Sequence, residues 1–319
     1  MNGNDGAPTP SADLRRDPLT GSTSLVVPRW GTAKAADPTP LALEMPIGST
    51  PCPFCPSRLA DPFHPSGVET SRAGGSADGG WSALALQNRW PHTAAPDAAE
   101  VVVLSSDHDA HLGMMSLDDA SEAIGLMLDR AEGQRRAGRD PLLFVNHGVN
   151  AGSSQPHPHG QVIGLPMPDP LRLGEAAALV PGSCVLCERV EDERFIARLA
   201  GATVISPVAP AIDYEQLVVQ TGHRPADARC LAEGIGTALR ALGRVIGPVA
   251  YNLLIHVDAH PHVHVTPRTA RHSGYGQAGI HTCYIDPAEA NRRLARAVSE
   301  MDGADITVLG RGSSRVDAA

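Results

Sequence analysis

The chain has 319 residues, enough for one large domain or two of about 150. Lysine and arginine total 26 against 35 aspartates and glutamates, a formal charge of −9. That balance excludes a general nucleic-acid binder, which needs clustered positive charge, but leaves a mononucleotide open. No apolar run is long enough to cross a membrane, and the N-terminus, with Asp5 and Asp13, lacks the apolar core of a secretory signal. A cytoplasmic location is the expectation.

Residues 1–22 are rich in Gly, Pro, Asp and Ser without apolar period and read as a disordered tail. Ser24-Leu25-Val26-Val27 begins the ordered part, and Arg29 follows. Cys52-Pro53-Phe54-Cys55 is a knuckle whose two thiolates can grip one ion from a tight turn. The Gly/Ser/Pro stretch from Asp61 to Gly80 reads as a surface loop. Structure resumes at Trp81 and leads to Asn88-Arg89-Trp90-Pro91, with Trp90 either an apolar wall or a core aromatic.

Glu100–Leu104 reads as a strand, followed by Ser105-Ser106-Asp107-His108. Ser116 caps a helix carried by Leu117, Ile124, Leu126, Met127 and Leu128, ending near Gly138. Leu142–Val145 is a buried strand that opens the segment Asn146-His147-Gly148-Val149-Asn150-Ala151-Gly152-Ser153-Ser154-Gln155-Pro156-His157-Pro158-His159-Gly160-Gln161. Small residues at 152–154 let the backbone approach a ligand closely, and two histidines two apart in an extended chain share a face.

The second half repeats the first. Cys184-Val185-Leu186-Cys187 answers the first knuckle, and the strand Glu215–Val219 with His223 answers the strand before His108. A helix through Leu231, Ile235, Leu239 and Leu242 follows, then a strand at Tyr251–Ile255 and the run His260-Pro261-His262-Val263-His264. The expected fold class is α+β: two tandem modules with antiparallel sheets and packed helices, over residues 23–170 and 171–310. With no export signal, the Cys pairs point to metal or redox work rather than disulfides. Cys230 and Cys283 stand alone as core or partly buried thiols.

Asn146, Gly148, Gly152, Ser154 and Pro156–Gln161 resemble the active-site signature of the galactose-1-phosphate uridylyltransferase family. That family belongs to the histidine-triad superfamily and includes ADP-glucose phosphorylase-like members; the resemblance spans roughly residues 25–300. It implies two histidine-triad-like modules, a covalent nucleophile at His159 and a zinc ligand at His157. It also implies that Gln161 contacts the transferred phosphoryl group, with Ser154 and the backbone of 152–154 stabilising its charge. Arg29, Asn88, Arg89, Asn146, Gly152, Ser153, Arg268 and Arg271 are the expected substrate-binding residues. Homodimers are usual in the family.

The repeat and the resemblance together give Cys52, Cys55, His108 and His157 as one tetrahedral zinc set, and Cys184, Cys187, His223 and His262 as a second. Other relatives hold a Glu/His site in this half, whose nearest equivalents are Glu175, His256, His262 and His264. Both assignments claim His262.

The reaction implied is transfer of a nucleoside monophosphate from a nucleotide sugar to a sugar 1-phosphate through a nucleotidyl-histidine. The alternative is an ADP-glucose or dinucleoside polyphosphate phosphorylase or hydrolase, with phosphate or water as acceptor. Near the family's acceptor segment the chain reads Tyr275-Gly276-Gln277, without the glutamate many relatives carry after the aromatic. Uridine against adenine stays undecided in the sequence, and a zinc-stabilised binder with an inactive H-P-H-G-Q is the non-enzyme rival.

Overall fold

The computed structural model describes residues 13–27, 43–48, 51–59, 69–74, 80–91, 93, 95–191, 195–269 and 274–301. The first half supplies β1 (Asp13–Arg16), β2 (Thr23–Val26), α1 (Pro56–Leu59), β3 (Glu69–Ala73), β4 (Ala83–Gln87) and β5 (Ala99–Val103). It continues with α2 (Leu117–Arg136), β6 (Asp140–His147), β7 (His159–Leu165) and α3 (Pro170–Ala176). The second half supplies α4 (Val185–Glu191), β8 (Phe195–Arg198), β9 (Ala202–Ile205), β10 (Gln216–Gln220), α5 (Ala228–Ile246) and β11 (Tyr251–His256). It ends with β12 (His262–Pro267), α6 (Gly274–Gln277), β13 (Ile280–Cys283) and α7 (Pro287–Ser299).

The expected α+β class and the packed helices are present, but the halves do not keep separate sheets. One ten-stranded antiparallel sheet runs β3-β4-β5-β7-β6-β11-β12-β10-β9-β8, joined at its centre where β6 pairs β11. Each half would otherwise leave an edge of unpaired backbone groups at that strand, so joining satisfies both. A second, three-stranded sheet, β1-β2-β13, departs from an all-antiparallel pattern because β13 runs parallel to β2. β1 lies inside the stretch expected to be disordered: Asp13–Arg16 pairs with Thr23–Val26. The buried carboxylate of Asp17 fixes the turn between the two strands, accepting the amides of Leu19 and Thr20 at 3.0 Å. A tight Asx turn, rather than apolar periodicity, orders this segment.

Alternation decides which side of the large sheet meets the helices. Leu143 and Val145 of β6, Val162 of β7, Leu253 and Ile255 of β11, and Val263 and Val265 of β12 are buried under α2 and α5. The helices answer with Ile124 and Met127 from α2 and Leu231, Ile235 and Leu242 from α5. Ser116 caps α2 as its sequence suggests, its Oγ accepting the Asp119 amide at 3.1 Å, and Asp227 caps α5 in the same way; such caps contribute about 1 kcal/mol each. Gly160 sits where a Cβ would come within 2.9 Å of the Met127 side chain, so α2 packs directly on β7. The opposite face is left to chemistry.

Candidate active site and metal centres

His159 opens β7 on the face away from the helices and is 6% exposed. Its Nδ1 lies 2.9 Å from the His157 carbonyl oxygen. A carbonyl only accepts, so Nδ1 carries the proton and donates, leaving the lone pair on Nε2. Burial pushes the His159 imidazole below its ordinary value, which favours the neutral, nucleophilic form. Gln161, two residues on, shares this face, as do Phe144 and Asn146 of the neighbouring β6.

His157 is fully buried and is held at both nitrogens. Its Nε2 donates to Ser105 O at 2.8 Å, and its Nδ1 faces Cys52 Sγ and Cys55 Sγ, each at 3.7 Å. His108 Nδ1 stands 3.4 Å from Cys55 Sγ. The sequence-expected set Cys52, Cys55, His108 and His157 therefore converges, its ligand atoms lying within 4.8 Å of one another. Burial and the adjacent Cys52 push the Cys55 thiol up to about 11, so two thiolates here call for a cation between them. The knuckle also delivers Phe54, whose ring centroid is 5.3 Å from His159. Sequence reasoning gave Phe54 no role; its place inside C-x-x-C was the available signal.

The second half repeats this device with one correction. The second Cys2His2 cluster is Cys184, Cys187, His223 and His260, not His262. His260 Nδ1 faces Cys184 Sγ at 3.2 Å and Cys187 Sγ at 3.7 Å, and its Nε2 donates to Gln220 O at 2.7 Å. His223 Nε2 is 3.4 Å from Cys187 Sγ. His260 thus corresponds to His157, and His262 to His159: His262 Nδ1 donates to His260 O at 2.8 Å, as His159 does to His157 O. The shared H-P-H was the cue, and aligning on His262-Val263-His264 misses it by one step.

His262 belongs instead to Glu175, His256 and His264, so the two assignments do not compete. Glu175, on α3, is fully buried and meets His256 Nδ1 at 2.6 Å, His262 Nε2 at 3.2 Å and His264 Nε2 at 3.0 Å. Because His262 spends its proton on His260 O, its Nε2 lone pair faces a carboxylate oxygen without a hydrogen bond. A cation between them removes that repulsion. The residues of all three clusters fit metal ions by this chemistry.

The loop before His157 is closed by its own backbone. Gly152 adopts φ +81°, a region that favours glycine, and its amide donates to Val149 O at 2.9 Å. The Ser153 amide donates to Gly148 O at 3.1 Å, and the Ser153 hydroxyl to Gln155 O at 2.8 Å. These two amides are therefore committed within the loop, whereas the expectation was that they meet the transferred phosphoryl group; Ser154 beside them is exposed. Asn146 accepts from Asn252 Nδ2 at 2.6 Å; the same amide nitrogen donates to Ala151 O at 2.9 Å, and Arg268 Nε donates to Asn252 Oδ1 at 2.5 Å. Arg268 thus meets the loop through Asn252, a residue absent from the sequence-based set. Asn88 turns its Oδ1 to the Trp90 amide at 2.9 Å, and Trp90 is exposed at 74% with the Arg89 guanidinium 5.2 Å over its ring. That exposure removes the core reading of Trp90. Arg29 and Arg271 lie outside the described residues.

Residues 82–167 match the family profile of the galactose-1-phosphate uridyl transferase N-terminal domain. An ADP-glucose phosphorylase of Arabidopsis thaliana is 23% identical over 91% of this chain and 93% of its own length. A galactose-1-phosphate uridylyltransferase of Streptomyces lividans is 27% identical over 50% of this chain, and that match spans only 40% of the relative. Among solved structures, the Arabidopsis ADP-glucose phosphorylase with bound ADP-glucose superposes with a TM-score of 0.73 at 19% identity, covering 92% of this chain and all of that one. A uridylyltransferase structure gives 0.65 at 25% identity, over 90% of this chain and 98% of that one. Over residues 82–167 the sequence is similar to the galactose-1-phosphate uridyl transferase N-terminal domain, and over about nine-tenths of the chain the fold is similar to that of an ADP-glucose phosphorylase and of a uridylyltransferase.

Proposed function

We propose that the protein is a nucleotidyltransferase that moves a nucleoside monophosphate from a nucleotide sugar to a sugar 1-phosphate by way of a covalent nucleotidyl-His159. The observation that carries this reading is the His159 tautomer: Nδ1–H is held by the His157 carbonyl, so the Nε2 lone pair is available to phosphorus. In the first step the Nε2–P bond forms as the bond from the α-phosphorus to the sugar phosphate oxygen breaks. The leaving hexose 1-phosphate is weakly basic, so no strong general acid is required. In the second step an acceptor phosphate oxygen attacks the same phosphorus and Nε2 leaves. Gln161 and Ser154 donate to the non-bridging oxygens as charge grows on them. Zinc in the first Cys2His2 cluster would supply rigidity, fixing His157 and through its carbonyl the ring of His159.

The same steps with inorganic phosphate as acceptor make an ADP-glucose phosphorylase, and two observations favour that second reading. The Arabidopsis ADP-glucose phosphorylase aligns in sequence along nearly the whole chain, and the fold of its ADP-glucose complex covers 92% of this chain. No described helix is long and apolar enough to cross a membrane; a cytoplasmic homodimer holding two zinc ions completes the proposal.

Intact-mass spectrometry of the protein mixed separately with UDP-glucose and ADP-glucose, repeated on His159→Ala, tests the mechanism and the base together. A UMP-sized adduct lost in the variant supports uridylyl transfer, and an AMP-sized one moves the reading to the adenylyl branch. Absence of either adduct from folded, metal-loaded protein overturns the covalent reading for these donors.

A further inference from the structure

On the helix-covered side of the sheet, at the C-terminal end of α5, lies a cavity of about 350 Å³ that the proposed chemistry does not use. One wall is a set of rings. His147, the last residue of β6, stacks on Tyr251 with centroids 4.7 Å apart and planes 21° apart, and His111 lies 5.5 Å away at a tilt. Leu43, Met114, Leu242 and Val249 add aliphatic surface. Arg240 and Arg244, one helical turn apart, bring two guanidinium groups, and the described lining holds no carboxylate. Burial pushes His111 down and His147 down to about 4, so both imidazoles are neutral and the cationic character comes from the arginines.

The cavity also touches the catalytic loop. His147 leads directly into Gly148, where a Cβ would stand 2.9 Å from Leu43 Cδ1, and Glu44 O accepts the Val149 amide at 2.7 Å. Leu43 is therefore shared between the cavity wall and the packing of the loop. A ligand seated against His147 and Leu43 presses on the residues that begin the Gly148–Ser154 turn.

We propose that this cavity is a second ligand site, taking a small flat-ring compound that bears a carboxylate or phosphate, and that its occupancy is coupled to the catalytic loop. The volume suits one small molecule rather than a peptide segment. The ring wall favours a flat body, and the guanidinium pair favours an anion. The binding claim stands without the proposed transfer reaction; only the consequence for turnover rests on it.

The test uses 1-anilinonaphthalene-8-sulfonate, a flat anionic fluorophore, on the full-length metal-loaded protein. Gly243 lines the cavity, and a Cβ there meets nothing within 4 Å, so Gly243→Phe fills the space; Arg240→Ala with Arg244→Ala removes the charge. Saturable one-to-one binding is expected, weakened about tenfold or more by either variant with unchanged circular dichroism and melting temperature. Displacement by benzoate or by phenyl phosphate identifies the anion class, and displacement by neither overturns the ligand chemistry. Binding untouched by both variants, or no binding, overturns the site. Coupling is read by hydrogen exchange at the amides of Val149, Gly152 and Ser153. Ligand-induced change there, absent in Gly243→Phe, supports it, and site-specific binding without such change overturns it. A protein that forms no nucleotidyl adduct yet passes these binding tests loses the transferase reading and keeps this one.

Discussion

On β6 and β7 of the first half, Phe144 lies across from Gln161; on β11 and β12 of the second, Leu254 lies across from His264. With His159 matched to His262, Gln161 matches His264, and Asn146 falls on His256. The same face of the same sheet thus carries a histidine among neutral amides in one half and among further histidines in the other. Glu175, brought in by α3, completes the second group. The difference teaches how little separates a nucleophile from a ligand. Both imidazoles spend Nδ1–H on a carbonyl and keep a lone pair on Nε2. Beside amides that lone pair stays open, as the proposed attack on phosphorus requires; imidazoles and a buried carboxylate point theirs at a common centre and call for a cation.

The comparison breaks most sharply at the paired histidines. His159→Ala should lower turnover by about a thousandfold or more and abolish the covalent adduct, because it removes the nucleophile. His262→Ala should leave adduct formation in place while lowering metal content, read by intact mass and by elemental analysis. Comparable loss of adduct in both variants would sink the division of labour.

Next in size is Glu175→Ala, which leaves three buried imidazoles around an uncompensated centre. It should cost about 3–5 kcal/mol of stability by chemical denaturation and about one equivalent of bound metal, with both Cys2His2 clusters retained. Unchanged stability and metal content would show that the group is a hydrogen-bonded cluster only.

The second half also has a buried acid away from the face. Burial pushes Asp213 up to about 6, although it accepts the amides of Tyr284 and Ile285 at 2.8 and 2.9 Å. An unfolded aspartate ionises near pH 3.9, so between about pH 4 and 6 the folded chain holds the extra proton. Stability should therefore fall as pH rises through that window, by up to about 3 kcal/mol. Asp213→Asn should flatten the slope in denaturation curves at pH 4.5 and 6.5; an unchanged slope would rule out this residue as its source.

The smallest effect concerns the link between the halves. Asn252→Ala removes the donor to Asn146 and Ala151 and should lower kcat/KM by about tenfold, the value of one or two buried hydrogen bonds. Adduct formation should survive. An equal loss in His159→Ala and Asn252→Ala would instead make Asn252 part of the chemistry.

Much of the site was legible in the chain because its parts are local. Cys52 and Cys55 sit in one turn, and His157, His159 and Gln161 lie on one short segment, so spacing alone brings them together. The repeat announced the second cluster, though its last ligand needed the register: His260 and His262 are equally good histidines on paper, and only the carbonyl of Gln220 and the thiols of Cys184 and Cys187 choose between them.

What the sequence determined by itself was the α+β class, the duplicated pattern and the convergence of Cys52, Cys55, His108 and His157, since these follow from periodicity and residue spacing; the nucleophilic role proposed for His159 came from the family resemblance alone. Tertiary structure alone decided that β6 and β11 fuse the halves into one sheet, that His262 goes to Glu175 and His260 to the second Cys pair, and that Asn252 steadies the loop before His157. Those contacts join residues about 80 to 115 positions apart. No local propensity encodes them; they arise because unpaired strand edges and buried charges have to be satisfied somewhere in the folded chain.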